Sequence, residues 1–241
     1  MRFRIPGLDR TYRQALLVQQ DLDRIEDISI INGILKNRGY LTRIIGFEKC
    51  TKRNVLSGIE QLIERSREDS RSLFYYTGHG SEIPGYANGI SMNKEDREFD
   101  FWDQRILPYS LLRRLGKVKG KKAIIIDSCL SGEFVENAIK YSDETLIRDY
   151  VIITSTTRDG YTVYSKWDLH DNHPLKDKRI GSVTHWMYES ARKTRRLNLA
   201  NAPLGEYSLK FPEKIPAEKE NLNYSRINLQ MQRTGDTDFF L

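Results

Sequence analysis

Two reactive side chains stand directly after two apolar runs, and their types suggest nucleophilic catalysis. Residues 73–77 are followed by His79, and residues 123–127 are followed by Cys129. Buried parallel strands deliver catalytic groups in this way, because their carboxyl ends meet at one edge of the sheet. A histidine can orient a thiol and shuttle protons while the thiolate attacks a carbonyl carbon. The pattern predicts a cysteine peptidase.

The motifs around these two residues support a specific resemblance. Tyr-Tyr-Thr-Gly-His-Gly at 75–80 and Asp-Ser-Cys-Leu-Ser-Gly at 127–132 resemble the histidine and cysteine motifs of caspase-like peptidases. The second motif is most similar to that of metacaspases and their prokaryotic relatives. The resemblance extends from about Arg13 to the C-terminus and implies Cys129 and His79 as the catalytic pair. It also implies an oxyanion hole formed by the backbone N–H groups of Gly80 and Cys129.

The elements that must position these residues alternate between strand and helix patterns. Strands are predicted at 15–18, 41–46, 73–77, 123–127, 151–154 and near 227–231, with helices between most of them. Thr51 and Ser182 are predicted helix caps, and Gly39 is a predicted helix stop. We therefore expect an α/β fold with a mostly parallel sheet of about six strands, flanked by helices on both faces. The stretches 81–104, 158–181 and 201–224 do not follow this pattern and are expected to be loops.

The resemblance implies one caspase-like domain over residues 1–241. Its large-subunit region would cover about 1–155 and its small-subunit region about 182–241, with an intersubunit loop at about 156–181. That loop contains five basic residues, so self-cleavage is expected around Lys176 to Arg179.

Acidic residues carry the prediction of specificity. Metacaspases place an acid two positions before the nucleophile, where it lines the S1 pocket, and this position is Asp127 here. Asp27 matches a second pocket acid, Ser155 matches a further lining position, and Asp159 is expected at the rim. Two carboxylates in a partly desolvated pocket favour a cation, so cleavage after Arg or Lys is expected. Alternatively, Asp27 is an exposed first-turn acid that the helix dipole stabilises.

Other reactive residues have weaker patterns. Cys50 lies among basic neighbours that would lower the pKa of its thiol, but it has no histidine motif. His170 and His173 have a spacing that only faintly suggests a metal. The resemblance leaves calcium open, because Pro108-Tyr109 stands where metacaspases carry a calcium-binding aspartate pair. The remaining oxygen donors are Asp96, Glu98, Asp100, Asp103 and Glu136. No cofactor is otherwise expected.

Composition separates the remaining function classes. The net charge is +6 and the isoelectric point is about 9.2, which raises the possibility of nucleic-acid binding. The basic residues are spread along the chain without an interleaved aromatic surface, so protein or peptide substrates are favoured, without nucleic acid or membrane. Two cysteines and no secretory signal favour a cytoplasmic protein. The competing function is a catalytically idle scaffold of the same fold that binds protein partners.

Overall fold

The protein is described by a computed structural model, which defines residues 12–83, 86–93, 105–141, 149–156, 158–159, 162, 164–166, 172–194, 199, 205–207 and 227–234. The strands are β1 (Arg13–Gln19), β2 (Leu41–Ile45), β3 (Arg71–Thr77), β4 (Gly80–Ile83), β5 (Tyr86–Ser91), β6 (Arg105–Ile106), β7 (Lys121–Asp127), β8 (Tyr150–Thr154), β9 (Tyr164–Lys166), β10 (Arg179–Gly181), β11 (Gly205–Tyr207) and β12 (Ile227–Thr234). The helices are α1 (Ile25–Lys36), α2 (Lys52–Arg65), α3 (Pro108–Leu115), α4 (Gly132–Lys140) and α5 (Ser182–Lys193).

The central sheet has the strand order β11-β12-β8-β7-β3-β1-β2. The five strands from β8 to β2 are mutually parallel, whereas β12 pairs antiparallel to β8 and β11 pairs antiparallel to β12. The predicted mostly parallel α/β sheet is thereby confirmed. Because β3 and β7 are neighbours, the two chain segments that follow them leave the same edge side by side.

Alternating side chains of the central strands bury the two faces of the sheet separately. On one face Leu17, Tyr75 and Ile125 pack with residues of α1 and α5. On the other face, the intervening strand residues pack with α2, α3 and α4. Both faces are covered, which explains why the sequence of these strands is almost continuously apolar.

Two of the three predicted helix boundaries are confirmed. The hydroxyl of Thr51 accepts a hydrogen bond from the amide of Asn54 and caps α2. Gly39 follows α1 with φ of 76°, a left-handed conformation that glycine adopts without a Cβ clash. Ser182 is not a cap, because it is already the first residue of α5, and Gly181 precedes it without a side chain that could accept a bond.

The expectation of three irregular loops was wrong in part. Antiparallel strands β4, β5 and β6 lie in and beside the first stretch, β9 and β10 in the second, and β11 in the third. These strands are two to six residues long, and backbone pairing stabilises them without a clear apolar period. Pattern analysis therefore has little to detect. Within the described ranges, no helix is both long and apolar enough to cross a bilayer.

Candidate active site

The histidine and cysteine segments meet at the carboxyl edge of β3 and β7. Thr77 and Asp127 are register partners at the ends of these strands, and the amide of Gly78 donates to the carbonyl of Asp127 at 3.3 Å. His79 and Cys129 therefore each lie two residues beyond paired strand ends. Strand pairing brings together two motifs that are far apart in the chain.

A sharp turn presents Cys129 between β7 and α4. Leu130 has φ of 59°, which is uncommon for a residue with a Cβ and indicates local backbone strain. The turn after β8 holds this segment, because the amide of Ser131 donates to the hydroxyl of Thr156 at 3.1 Å and Ser155 donates to the carbonyl of Ser128 at 3.0 Å. The backbone at the cysteine is thus fixed by a neighbouring strand end.

Gly80 lies directly against the backbone of Cys129. A Cβ at Gly80 would overlap the carbonyl oxygen of Cys129, so no other residue fits without a backbone shift. The two backbone segments assigned to the oxyanion hole are therefore adjacent. Glycine is needed at position 80 because the backbones of residues 80 and 129 approach each other closely, as the position of this glycine in the motif suggested.

The thiol of Cys129 is partly shielded from solvent. Burial raises its pKa above the usual value, while the amide of Thr162, which donates to Sγ at 3.4 Å, and the charge of Arg24 act in the opposite direction. Burial is the largest of these effects. Burial therefore favours the protonated thiol, so attack on a carbonyl is expected to need a base.

The imidazole of His79 is paired with a residue that the sequence analysis did not single out. Its Nε2 lies 3.2 Å from Oδ2 of Asp21, and the histidine side chain is 66% exposed. Asp21 follows β1, which neighbours β3 in the sheet, so the carboxyl-edge rule that found His79 could also have identified Asp21. Among the described residues, the imidazole of His79 contacts Asp21. The thiol of Cys129 contacts Thr162 instead.

Asp27 and Asp127 come together beneath this edge, and both are 0% exposed. Asp27 accepts hydrogen bonds from the hydroxyl of Thr77 and from the amide of Gly181, both at 2.9 Å. A Cβ at Gly181 would overlap the carboxylate of Asp127. Gly181 thus lies against both acids, and Asp27 is not the exposed first-turn acid of the alternative interpretation.

Asp127 supplies the cap that Ser182 does not. Its Oδ2 accepts from the amide of Thr184 at 3.4 Å, and its Oδ1 accepts from the hydroxyl of Thr162 at 3.4 Å. Thr184 is in the first turn of α5, where an anion is favoured by unpaired amides and by the helix dipole. The two acids therefore anchor the start of α5 to the sheet.

The proximity of the two acids changes their ionisation. Burial, and next the charge of Asp127, raise the pKa of Asp27 to about 7, against the opposing effect of Arg24. Burial likewise raises the pKa of Asp127. Arg24 is itself buried, and its guanidinium lies 3.6 Å from Asp27. The site already contains one internal cation beside the acid pair.

The two remaining predicted pocket residues differ in their placement. Ser155 is fully buried, and its hydroxyl lies close enough to Asp127 to favour the charged form of that carboxyl group. Asp159 is exposed in the turn after β8. Ser155 therefore belongs with the acid pair, whereas Asp159 stays at the surface.

Comparison with known proteins agrees with this geometry. A family model described as the caspase domain matches residues 19–195, which is more than half of the chain. The chain belongs to the caspase-domain family. No curated protein matches it.

One solved structure supports the same fold, and a second shows a weaker similarity. Protein GSU0716 from Geobacter sulfurreducens is similar with a TM-score of 0.56 and 12% identity, over 93% of this chain and 95% of that one. Raptor from Chaetomium thermophilum is similar with a TM-score of 0.44 and 13% identity, over 63% of this chain and 16% of that one. The similarity to GSU0716 supports the caspase-like fold, although the sequence identity is low. The similarity to Raptor is too weak to support an argument about the fold.

Cys50 and Glu136, two further candidate residues, make their described contacts with residues outside this site. Cys50 is buried in the core beside Met92, and burial raises the pKa of its thiol to about 12, so its basic sequence neighbours do not activate it. Among the described residues no group of side chains could hold a metal ion. Glu136 pairs with Arg158 at 3.3 Å. The structure does not describe Asp96, Glu98, Asp100, Asp103 or His170.

The acid pair predicts an unusual dependence of stability on pH. Asp27 binds its proton more tightly in the folded state, because its pKa is raised from 3.8 to about 7. Its contribution to the free energy of unfolding is therefore full below the unfolded pKa and is lost as the pH rises toward 7. We expect Asp27→Asn to gain stability relative to the wild type as the pH rises from about 4 to about 7, and the difference to stay constant above that range.

Urea unfolding at a series of pH values measures this difference. Asp69→Asn is the matched control, because Asp69 is exposed at the opposite edge of the sheet and carries the same charge. Parallel stability curves for wild type and Asp27→Asn would show that Asp27 is not held protonated.

Proposed function

We propose that this caspase-domain protein is a cysteine endopeptidase that cleaves after Arg or Lys, with Cys129 as nucleophile and His79 as acid–base residue. The observation that carries the proposal is the meeting of the two motifs at one sheet edge, with Gly80 packed against the backbone of Cys129. Two amides beside a nucleophile are what acyl transfer requires for the developing oxyanion.

The reaction follows from these roles. His79 takes the proton of the Cys129 thiol as sulfur bonds to the substrate carbonyl carbon, and the backbone amides of Gly80 and Cys129 stabilise the negative oxygen. The C–N bond then breaks, the leaving amine receives the proton from His79, and a thioester remains on the enzyme. Water, deprotonated by His79, hydrolyses the thioester and restores the thiol.

Specificity for a basic P1 side chain is supported by the acid pair. Asp127 is two residues before the nucleophile, and Asp27 lies close enough to it that each charge affects the other. Such a pair attracts a cation and repels an acidic side chain. The cation that now lies beside it is Arg24, which is 6% exposed, so a P1 side chain has to compete with Arg24 or displace it.

We expect Cys129→Ala to abolish cleavage of a fluorogenic peptide with P1 Arg, because only the attacking atom is lost. His79→Ala should lower kcat by about 10²- to 10⁴-fold, the usual contribution of general acid–base catalysis. Initial rates with purified protein, together with circular dichroism for folding, measure both effects.

Cys50→Ser is the matched cysteine control and should keep near wild-type kcat in the fraction that folds, since Cys50 is a core residue. Turnover by Cys129→Ala would refute the assignment of the nucleophile. A well-folded wild type that cleaves no peptide would favour the scaffold function instead.

Asp27→Asn and Asp127→Asn should selectively reduce cleavage after Arg. Loss of one partner from a desolvated charge interaction costs about 2–5 kcal/mol. Because both acids also anchor α5, the informative quantity is the ratio of kcat/KM for P1 Arg to that for P1 norleucine, which cancels general damage to the fold. We expect this ratio to fall in both variants and to stay constant in Asp69→Asn.

An unchanged ratio in the two acid variants, or preferred cleavage after Asp, would mean that the pair only anchors α5. A library of peptides that differ at P1 distinguishes these outcomes and also ranks Arg against Lys.

Self-cleavage is expected after Lys176, which narrows the range predicted from sequence. Lys176 lies in a turn at residues 174–177, whereas Lys178 pairs with Glu26 at 2.7 Å and Arg179 pairs with Lys166 in the β9–β10 ladder. Cleavage needs an extended segment, and the turn can open without the loss of strand pairing.

Mass spectrometry of incubated wild type beside Cys129→Ala identifies the cut. Lys176→Gln should prevent it, and the control Lys178→Gln should not. An active enzyme that remains one intact chain would exclude self-cleavage from its activation.

A further inference from the structure

We propose that Asp21 is a positioning residue that fixes the tautomer and orientation of His79, so that Cys129, His79 and Asp21 act as a relay in which only Cys129 and His79 exchange the proton. This inference rests on the proposed peptidase function. It assigns a role to a side chain that belongs to neither sequence motif.

The contact between Asp21 and His79 determines which ring nitrogen can act as a base. Oδ2 of Asp21 lies 3.2 Å from Nε2 of His79. An ionised carboxylate only accepts hydrogen bonds, so the proposal assigns the hydrogen of the neutral imidazole to Nε2. The lone pair is then on Nδ1, the nitrogen that does not contact the carboxylate, and the proposed relay requires this nitrogen to receive the thiol proton.

Two hydrogen bonds fix Asp21 independently of its contact with His79. Its Oδ1 accepts from the amide of Asp23 at 3.1 Å, which caps the 3₁₀ turn at Leu22–Arg24. The side-chain amide of Gln19 donates to the carbonyl of Asp21 at 2.9 Å. One carboxylate oxygen is therefore used for the cap, and the other is directed at the imidazole.

Hydrogen bonds also fix the backbone of His79. Its amide donates to Oε1 of Gln20 at 2.9 Å, and its carbonyl accepts from the amide of Ser91 at 3.0 Å and from the hydroxyl of Tyr76 at 2.8 Å. Gln20 and Asp21 are consecutive residues after β1. One short segment thus positions both the backbone and the ring of the histidine.

The reaction is expected to need such a partner, because burial of the Cys129 thiol favours its protonated form. Its proton must move to Nδ1 of His79 during attack, which leaves an imidazolium with both nitrogens protonated. The Asp21 carboxylate stabilises that cation without taking its proton. The same proton then passes from Nδ1 to the leaving amine, so the His79–Asp21 pair regains its starting protonation state, while Cys129 carries the thioester until water hydrolyses it.

A double-mutant cycle separates this role from simple capping. Asp21→Asn and Asp21→Ser both keep an acceptor for the amide of Asp23, so the turn should stay intact. We expect each to lower kcat by about 10- to 100-fold with little change in KM, as loss of alignment does. In the His79→Ala background the same substitutions should have no further effect, because Asp21 acts only through the histidine.

Asp23→Asn is the charge-matched control, since Asp23 is exposed two residues away in the same turn, and it should keep wild-type kcat. A normal kcat in both Asp21 variants would overturn the proposal. It would also fail if the losses from Asp21→Asn and His79→Ala were additive, because that indicates a structural effect independent of the ring.

Alkylation by iodoacetamide tests the relay without any peptide substrate. Mass spectrometry can follow Cys129 while buried Cys50 serves as an internal reference in the same protein. We expect Asp21→Asn and His79→Ala to slow modification of Cys129 several-fold, with no additional slowing in the double variant. Equal alkylation of wild type and Asp21→Asn overturns the relay. If the wild type cleaves no peptide, the proposed peptidase function fails, yet this measurement still decides whether Asp21 acts on the thiol.

Discussion

The contact between a buried acid pair and the first turn of α5 joins the carboxyl edge of the sheet, where the two motifs meet, to the chain that follows. Burial of two carboxyl groups side by side is costly, and three features reduce that cost here. Amides of Gly181 and Thr184 donate to the acids, the guanidinium of Arg24 lies beside one of them, and one carboxyl group can hold a proton near neutral pH. Without these compensations the start of α5 would lose its anchor on β7.

The reactive groups depend on this anchor through short backbone connections. Asp127 ends β7 and precedes Cys129 by two residues, so any shift of the acid moves the nucleophile. On the other side, Thr77 donates to Asp27 and precedes His79 by two residues. The acids therefore stabilise the positions from which the side chains of His79 and Cys129 start. Because Gly80 lies against the backbone of Cys129, the two segments have little room to shift toward each other.

The sequence was sufficient for the sheet, the helices on both faces and the meeting of the two motifs at one edge, because buried parallel strands and their ends leave strong local patterns. It was insufficient where the stabilising partner comes from elsewhere in the chain. Ser182 has the residue type of a cap, yet the carboxylate that caps α5 belongs to Asp127, which is distant in sequence. Cys50 has basic neighbours in sequence, but its fold environment is apolar. Asp21 was detectable in principle, since it also follows a central strand.

Arg24 connects the acid pair with the proposed specificity. Its guanidinium stands 3.6 Å from Asp27, which is longer than a close hydrogen-bonded ion pair, and both side chains are nearly inaccessible. The folded protein therefore already accommodates one buried cation beside the acids. An entering arginine or lysine side chain would bring a second positive charge to the same place. That charge would favour ionisation of Asp27, whose pKa near 7 leaves the carboxyl group poised between its two states. Binding of a cation and release of a proton would then be linked, so that the pocket would gain negative charge as the cation enters.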